Sequence, residues 1–303
     1  MNDRIIIIGA GAWGDALSKL TQINGCEPTI WSRSCGRVLS EMITDRVAII
    51  SAVSMSGVPA IIDRLHGAIE PNQIIVTATK GLDARTNLTP AQLWHQAFPN
   101  NPIVVLSGPN LSLEIQQGLP AATVVASHDV DAANTIQTIF SSPKFRVYTN
   151  DDPIGVELGG TIKNVIAIAA GTCDGLKLGD NAKSALLTRG LAEIIRIGQY
   201  WGGKPETFYG LSGLGDLLTT CNSPLSRNYQ VGYGLAQGQT LSEVLANLKG
   251  TAEGVNTTKV LIQIADSNQI YMPITVLVDR LLQGQITAPE AIVALMSRDR
   301  KSE

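Results

Sequence analysis

One glycine-rich segment near the N-terminus restricts the fold more than any other feature of the sequence. Residues 9–14 read Gly-Ala-Gly-Ala-Trp-Gly, a G-x-G-x-x-G pattern. The pattern follows a β-branched run at residues 4–9, typical of a buried strand, and precedes apolar residues at helical spacing in 12–23. In this context the glycines allow a tight turn, a close approach to a pyrophosphate and close helix–strand packing. The alternative is a glycine-rich turn without a ligand. We predict a dinucleotide site that includes Gly9, Gly11, Ala12, Trp13 and Gly14.

Composition and charge exclude several other classes of protein. The chain has 303 residues, of which 44% are hydrophobic and 16% charged, which is too apolar for a disordered chain. Its net charge of -3 leaves no basic excess for nucleic acid. The four cysteines and three histidines are scattered, so we expect no metal and reduced thiols.

The order of predicted elements divides the chain near residue 150. Before it, short β-branched runs alternate with helical segments, the pattern of a mostly parallel sheet covered by helices. After it, strand runs disappear and long segments of helical periodicity follow, two of them preceded by capping boxes that start at Thr240 and Thr287. We predict a doubly wound α/β Rossmann-type domain over residues 1–150 and an all-α domain over 151–303. The seven predicted strands span residues 4–9, 28–31, 47–53, 74–78, 103–107, 122–125 and 145–148.

The end of the second predicted strand indicates which cofactor the chain prefers. An NAD site wants an acidic residue there to bind the ribose 2′-hydroxyl, but this chain has Ser32 and Arg33. A guanidinium suits the 2′-phosphate of NADP(H). We therefore expect NADP(H) to be preferred, with NAD(H) also accepted; the alternative is that Arg33 is a solvated surface residue.

Polar residues follow two later strands. Thr79-Lys80-Gly81 comes after the strand at 74–78, and Ser107-Gly108-Pro109-Asn110 after the strand at 103–107. Ligands of open α/β sheets bind outside the carboxyl ends of the strands, so both groups are expected to face one crevice.

The second half contains polar residues in apolar surroundings. Lys163 and Asn164 lie in an otherwise apolar helix, where desolvation would lower the pKa of the lysine towards neutrality and suit it for proton transfer. Arg227, between Ser226 and Asn228, has the composition of an anion-binding site, although serine and asparagine also start helices. The segment 179–184, Gly-Asp-Asn-Ala-Lys-Ser, imitates a phosphate loop but lacks the glycine before the lysine and a preceding strand.

These residues form part of a longer set of motifs. With these motifs the chain resembles the NAD(P)H-dependent glycerol-3-phosphate dehydrogenases of bacterial type. The motifs that carry the resemblance are residues 9–14 (GAGAWG), 80–82 (KGL), 107–109 (SGP), 157–167 (ELGGTIKNVIA), 188–193 (TRGLAE), 213–217 (GLGDL), 226–228 (SRN) and 252–255 (AEGV).

The resemblance implies reversible reduction of dihydroxyacetone phosphate to sn-glycerol 3-phosphate, which feeds phospholipid synthesis. It implies that Lys163 is the catalytic acid and base, with Lys80 and Asp216 completing the catalytic set. The substrate-binding residues implied are Lys80, Gly108, Asn110, Lys163, Asp216, Ser226, Arg227 and Asn228. The cofactor contacts implied, besides the glycine loop and Arg33, are Lys80, Ser112, Arg227, Thr251 and Glu253.

The chain departs from the family pattern on the cofactor side. Only residues 34–52 separate Arg33 from Val53, which leaves little room for a third strand beside the adenine. The Val-Pro-Ser usual in the family is here Val53-Ser54-Met55, while Asn110 and Ser112 replace a small hydroxyl residue and an alanine. These departures bear on cofactor affinity more than on the reaction.

Two other functions remain open from the sequence. One is a related two-domain 3-hydroxyacid dehydrogenase, and the other is a non-catalytic NADP-binding sensor, suggested by the short segment after Arg33. The four isoleucines after Arg4 imitate a signal peptide, but glycines interrupt them at once, and no apolar run reaches the ~18 residues of a transmembrane helix. We expect a cytoplasmic enzyme acting on a small molecule, and the sequence is compatible with a homodimer without specifying it.

Overall fold

The computed structural model describes residues 4–297 and contains a seven-stranded sheet in the first half of the chain. The strands lie in the order β2-β1-β3-β4-β5-β6-β7, and neighbours run parallel except β5 and β6, which are antiparallel. All seven predicted strands are present, with ends shifted by two residues at most. Their bounds are β1 (Arg4–Ile8), β2 (Glu27–Trp31), β3 (Ala48–Ser51), β4 (Ile74–Thr77), β5 (Ile103–Ser107), β6 (Ala121–Ala126) and β7 (Phe145–Asn150).

Helices cover both faces of this sheet, which explains the unbroken apolar runs. In β1, Ile5 and Ile7 pack on one face and Ile6 and Ile8 on the other, and all four are fully buried. The helices are α1 (Ala12–Ile23), α2 (Leu39–Met42), α3 (Val58–Leu65), α4 (Pro90–Ala97), α5 (Ser112–Gln116) and α6 (Val130–Phe140), and a 3₁₀ turn spans Met55–Gly57.

The short segment after Arg33 leaves β2 at the edge of the sheet. Between β2 and β3 the chain forms only the four-residue helix α2, and β3 returns to the other side of β1. Among residues 4–297, β2 therefore pairs with β1 alone, as the length of the segment predicts.

The second half of the chain is helical and is built around one long helix, α7. Its N-cap is Asp152, whose side chain accepts a hydrogen bond from Gly155 N at 2.8 Å. The helices are α7 (Pro153–Gly175), α8 (Gly179–Tyr200), α9 (Asp216–Cys221), α10 (Arg227–Ala236), α11 (Leu241–Asn247), α12 (Glu253–Asn268), α13 (Pro273–Leu282) and α14 (Ala288–Met296), with a 3₁₀ turn at Pro205–Tyr209 and a π-helical turn at Leu211–Gly215. Both predicted capping boxes are present, at α11 and α14.

Contrary to the expectation that no apolar stretch reaches the length of a membrane span, helix α7 is long and apolar enough to cross a membrane by length and composition, but 89% of its most apolar window is buried inside the fold. It is the helix around which α8, α9, α10 and α12 pack.

Glycines let α7 and α10 approach until their backbones touch. A Cβ atom on Gly232 of α10 would overlap Ile168 O, and one on Gly171 of α7 would overlap Tyr229 O. One turn further along α7, a Cβ on Gly175 would lie 2.6 Å from Ala236 Cβ. The position of α10 on α7 is therefore set by backbone contact, which leaves little freedom to slide.

We expect Gly232→Ala to lower the free energy of unfolding by about 3 kcal/mol, because the new methyl group must push two backbones apart. This outweighs the ~1 kcal/mol that alanine gains over glycine in a helix. Urea unfolding followed by circular dichroism measures it. Gly57→Ala is the control, since the nearest atom to its new methyl would be 3.5 Å away. Equal stability of the two variants would contradict the close crossing.

Candidate active site

Two lysines share one buried carboxylate where the sheet meets the helical half. Lys163 Nζ lies 2.9 Å from Asp216 Oδ1, and Lys80 Nζ donates a short hydrogen bond to Asp216 Oδ2. The side chain of Asp216 is 3% exposed, that of Lys163 7% and that of Lys80 23%. The sequence therefore identified three residues that the fold brings together, although they are up to 136 positions apart.

Burial and charge set the protonation of this group. Desolvation lowers the pKa of Lys163 to about 8; the carboxylate of Asp216 opposes this shift and the ammonium of Lys80 adds to it. Burial alone would raise the pKa of Asp216, but the two ammonium groups outweigh it and the pKa is lowered. The centre therefore holds one carboxylate between two ammonium groups, and burial makes the proton of Lys163 easier to release than that of an ordinary lysine.

Thr220 connects two members of the centre. Lys163 Nζ donates a short hydrogen bond to Thr220 Oγ1, and this hydroxyl donates to Asp216 Oδ1 at 3.1 Å. Sequence reasoning did not assign Thr220 a role. The available signal was its position four residues after Asp216, which places both side chains on one face of α9.

The first half of α7 joins the sheet to this centre. Thr161 Oγ1 accepts a hydrogen bond from Gly81 N at 3.1 Å, and a Cβ on Gly160 would overlap the hydroxyl of Ser107. Lys80 Nζ also donates to Gly108 O at 3.3 Å. The carboxyl ends of β4 and β5 thus deliver Lys80 and Gly108 to one crevice, as their positions after the two strands predict.

A buried carboxyl group makes a second link between the halves. Glu157 Oε1, on α7, accepts a hydrogen bond from Ala91 N in the first turn of α4 at 2.8 Å. Burial raises the pKa of Glu157 to about 7, opposed by the hydrogen bonds from Thr89 and Ala91. Glu157 begins the motif at residues 157–167, but the sequence gives no sign of its contact with α4.

The segment Ser226–Asn228 contacts Asn164, the residue that follows Lys163 in α7. Ser226 caps α10, accepting a hydrogen bond from Tyr229 N at 3.3 Å, so the interpretation of this serine as a helix start is correct. Asn228 Nδ2 donates to Asn164 Oδ1 at 2.9 Å, and Asn228 Oδ1 accepts from Gly254 N at 2.9 Å. Arg227 between them is exposed.

Arg227 and Glu253 contact the loop before α12 and the turn after β3, respectively. A Cβ on Gly250 would lie 2.5 Å from an Arg227 guanidinium nitrogen, which places Arg227 against the loop that leads to Thr251. Glu253 Oε1 accepts a hydrogen bond from Met55 N at 3.2 Å, linking α12 to the turn after β3. Burial raises the pKa of Glu253, with the Met55 amide and Arg227 opposing it.

The glycine loop has the shape that a dinucleotide requires. A Cβ on Gly14 would overlap Gly9 O, and Gly9 has a φ of 123°, a conformation that favours glycine. A Cβ on Gly11 would meet no protein atom within 4 Å, and Gly11 is the N-cap of α1 with no side-chain cap. The first turn of α1 therefore presents N–H groups to open space, which fits the pyrophosphate of a dinucleotide. Ala12 and Trp13 begin this helix.

The remaining predicted residues are Arg33, Ser112 and Asn110. Arg33 is exposed just after β2, and Ser112 begins α5, which docks on α1 through Gln116 Nε2 to Ala12 O at 3.0 Å. The side chain of Asn110 turns to β6, where its Nδ2 donates to Ala122 O at 3.0 Å and its Oδ1 accepts from Thr123 at 2.9 Å. Within residues 4–297, no three His, Cys, Asp or Glu side chains cluster closely enough to hold a metal ion.

Comparisons with known proteins agree with this geometry. Residues 152–293 match the family model for the C-terminus of NAD-dependent glycerol-3-phosphate dehydrogenase, and residues 37–133 match that for its N-terminus. A glycerol-3-phosphate dehydrogenase [NAD(P)+] of Trichormus variabilis is 61% identical over 99% of this chain and 98% of its own length. The crystal structure of glycerol-3-phosphate dehydrogenase from Coxiella burnetii, 33% identical, superposes with a TM-score of 0.93 over 98% of this chain and 99% of that one. By contrast, 2-dehydropantoate 2-reductase from Methylococcus capsulatus, 13% identical with a TM-score of 0.59 over 98% of each chain, shares the fold alone.

Proposed function

Because the chain belongs to the NAD-dependent glycerol-3-phosphate dehydrogenase family, we propose that the Lys163–Asp216–Lys80 centre carries out the proton transfer of that reaction. The protein is an NAD(P)-dependent oxidoreductase that interconverts dihydroxyacetone phosphate and sn-glycerol 3-phosphate, the precursor for glycerophospholipids. The function implied by the sequence motifs is thereby confirmed, ahead of the hydroxyacid dehydrogenase and the sensor. The observation that carries the mechanism is the pair of lysines on one buried carboxylate.

The chemistry needs a proton donor at the ketone oxygen. The bound nicotinamide supplies the hydride. As the carbonyl carbon accepts it, negative charge develops on the oxygen, which takes a proton from the Lys163 ammonium and becomes the hydroxyl of the product. In the reverse direction, neutral Lys163 removes the proton from the hydroxyl of glycerol 3-phosphate.

Lys80 and Asp216 prepare Lys163 for this transfer. Asp216 keeps the ammonium of Lys163 charged in spite of its burial, and Thr220 holds it by a second hydrogen bond. Lys80, at the open side of the carboxylate, adds positive charge where the oxyanion develops. Gly108 and Asn110, at the end of β5, border the same crevice and are proposed to contact the substrate.

Ser226, Arg227 and Asn228 are proposed to bind the substrate phosphate. A guanidinium flanked by hydroxyl and amide donors suits a dianionic phosphate, and the segment is held beside Lys163 through Asn164. Arg227 also faces the loop of Thr251, which with Glu253 is proposed to border the nicotinamide.

The assay that tests this function measures NADPH oxidation with dihydroxyacetone phosphate and with dihydroxyacetone. We expect turnover with the phosphorylated ketone and a kcat/KM at least ~100-fold lower without the phosphate, because the charge-assisted hydrogen bonds of the guanidinium are then lost. Equal kcat/KM for the two ketones would refute the phosphate site.

We propose that NADP(H) is preferred over NAD(H), supported by the exposed guanidinium of Arg33 at the end of β2. Arg33→Asp is expected to lower the NADPH/NADH ratio of kcat/KM about 100-fold, because it replaces a cation by an anion beside the 2′-phosphate. Steady-state kinetics with both cofactors measure the ratio. Arg85→Asp, which removes another exposed arginine, is the control. An unchanged ratio in Arg33→Asp would show that Arg33 does not contact the 2′-phosphate.

We further propose two domains, at residues 1–150 and 151–303, a cytoplasmic location and a homodimeric assembly. The division is supported by the end of β7 at Asn150 and the start of α7 at Pro153. Light scattering coupled to size exclusion tests the assembly, for which a mass near 32.2 kDa would indicate a monomer.

A further inference from the structure

Residues 179–184, which imitate a phosphate loop in sequence, form the start of α8. Its lysine, Lys183, lies in the second turn of α8 with a side chain that is only 14% exposed. Lys183 Nζ lies 2.6 Å from Asp174 Oδ2, in the last turn of α7. The ion pair thus closes the turn between α7 and α8.

A tyrosine from a third helix meets the same oxygen. Tyr229, in the first turn of α10, donates from its hydroxyl to Asp174 Oδ2 at 2.7 Å. Lys183 Nζ also lies 5.6 Å from the centre of the Tyr229 ring, within range of a cation–π interaction. Three helices therefore converge on one carboxylate oxygen through a charge-assisted pair and hydrogen bond.

Tyr229 connects this cluster to the segment Ser226–Asn228. It follows Asn228 directly, and its backbone N–H is the donor that Ser226 caps. Its phenol is fixed at Asp174, about 16 Å along α7 from Lys163 at 1.5 Å per residue. Helix α7 therefore contacts the start of α10 at two points. Asn164 bonds Asn228 beside Lys163, and Asp174 bonds Tyr229 further along the helix.

From these contacts we propose that Lys183, Asp174 and Tyr229 are positioning residues that orient Ser226–Asn228 for the phosphorylated substrate. The inference rests on the proposal that this segment binds the phosphate. The glycine contacts between α7 and α10 fix the crossing, and the hydroxyl of Tyr229 adds a polar contact in the first turn of α10, next to Ser226–Asn228. The anchor thereby contributes to selection of a phosphorylated ketone over an unphosphorylated one.

The test compares Tyr229→Phe with Tyr233→Phe in the full-length enzyme. Tyr233 stacks on Tyr229 one turn later, with ring centres 6.2 Å apart, so the control removes the same atom from a neighbouring ring. We expect Tyr229→Phe to raise KM for dihydroxyacetone phosphate about tenfold, the scale for a binding group displaced by a fraction of an ångström. The kcat and the kcat/KM for dihydroxyacetone should stay within about twofold. Lys183→Met should reproduce this pattern, and Lys183→Arg should largely restore the KM.

Arg227→Ala separates failure of the anchor from failure of the phosphate site. If Arg227→Ala raises KM for dihydroxyacetone phosphate while Tyr229→Phe behaves like Tyr233→Phe, the anchor is refuted and the phosphate site stands. If Arg227→Ala leaves this KM unchanged, the phosphate site itself is refuted. Tyr229→Phe could also lower kcat/KM equally with both ketones and lower the melting temperature. That result would show a general structural role and would overturn the proposal.

Discussion

Lys163→Ala is expected to lower kcat for reduction of dihydroxyacetone phosphate by about three orders of magnitude, within the 10²–10⁴-fold contribution of general acid catalysis. The variant loses the group that supplies the proton and the positive charge nearest the developing alkoxide. The Kd for NADPH should stay within about twofold of the wild-type value, because the glycine loop and Arg33 are untouched. Stopped-flow turnover and fluorescence titration of NADPH measure the two quantities.

Lys259→Ala is the matched control, since it removes an exposed lysine from another helix, α12. It should leave both quantities at the wild-type level. Loss of NADPH binding in Lys163→Ala, with proportionate loss of turnover, would show that Lys163 supports the cofactor site and would contradict its role as the acid.

Asp216→Asn is expected to lower kcat/KM for the reduction about 100-fold near pH 7, the scale for removing one preorganised electrostatic partner in an active site. Burial lowers the pKa of Lys163 to about 8, and the carboxylate of Asp216 opposes this shift most strongly, so the loss of that carboxylate lowers the pKa further. The reduction needs the ammonium form. The alkaline fall in kcat/KM should therefore begin at lower pH in the variant than in the wild type.

Thr220→Val helps to separate charge from hydrogen bonding in this prediction. It keeps Asp216 and removes only the hydroxyl that bonds Lys163 and Asp216, so we expect a smaller loss of about tenfold, the scale of a single hydrogen bond to a charged group. If kcat/KM falls at the same alkaline pH in Asp216→Asn as in the wild type, Asp216 does not control the ionisation of Lys163.

Local patterns in the sequence predict the seven strands of the sheet and the buried lysine of α7. Buried strands appear as runs such as residues 5–8, and a lysine inside an apolar helix is costly without a partner. The partner of Lys163 could not be inferred from spacing alone, since Asp216 lies 53 residues away; only the family resemblance linked them. Likewise, nothing in the local pattern of residues 121–126 indicates that β6 runs antiparallel to β5.

Side chains whose partners lie in other elements, or whose residue type also caps helices, are the hardest to assign from the sequence. Ser226 was assigned both a cap and a ligand role, and the fold shows that its hydroxyl caps α10. Asn110 is predicted to contact the substrate, and the structure adds hydrogen bonds from its side-chain amide to Ala122 and Thr123 of β6, which the sequence does not indicate. Lys183 lies in a segment that only imitates a phosphate loop. Its role is not visible in the local sequence because its partners come from two other helices.

The pH dependence of kcat/KM for the reduction, compared between the wild type and Lys163→Ala at saturating NADPH, tests the central claim most directly. If Lys163 is the proton donor, the wild type loses activity as pH rises through a pKa of about 8, and the slow residual reaction of the variant lacks this limb. If the variant keeps the same alkaline limb at the same pH, another group donates the proton and the assignment of Lys163 is wrong.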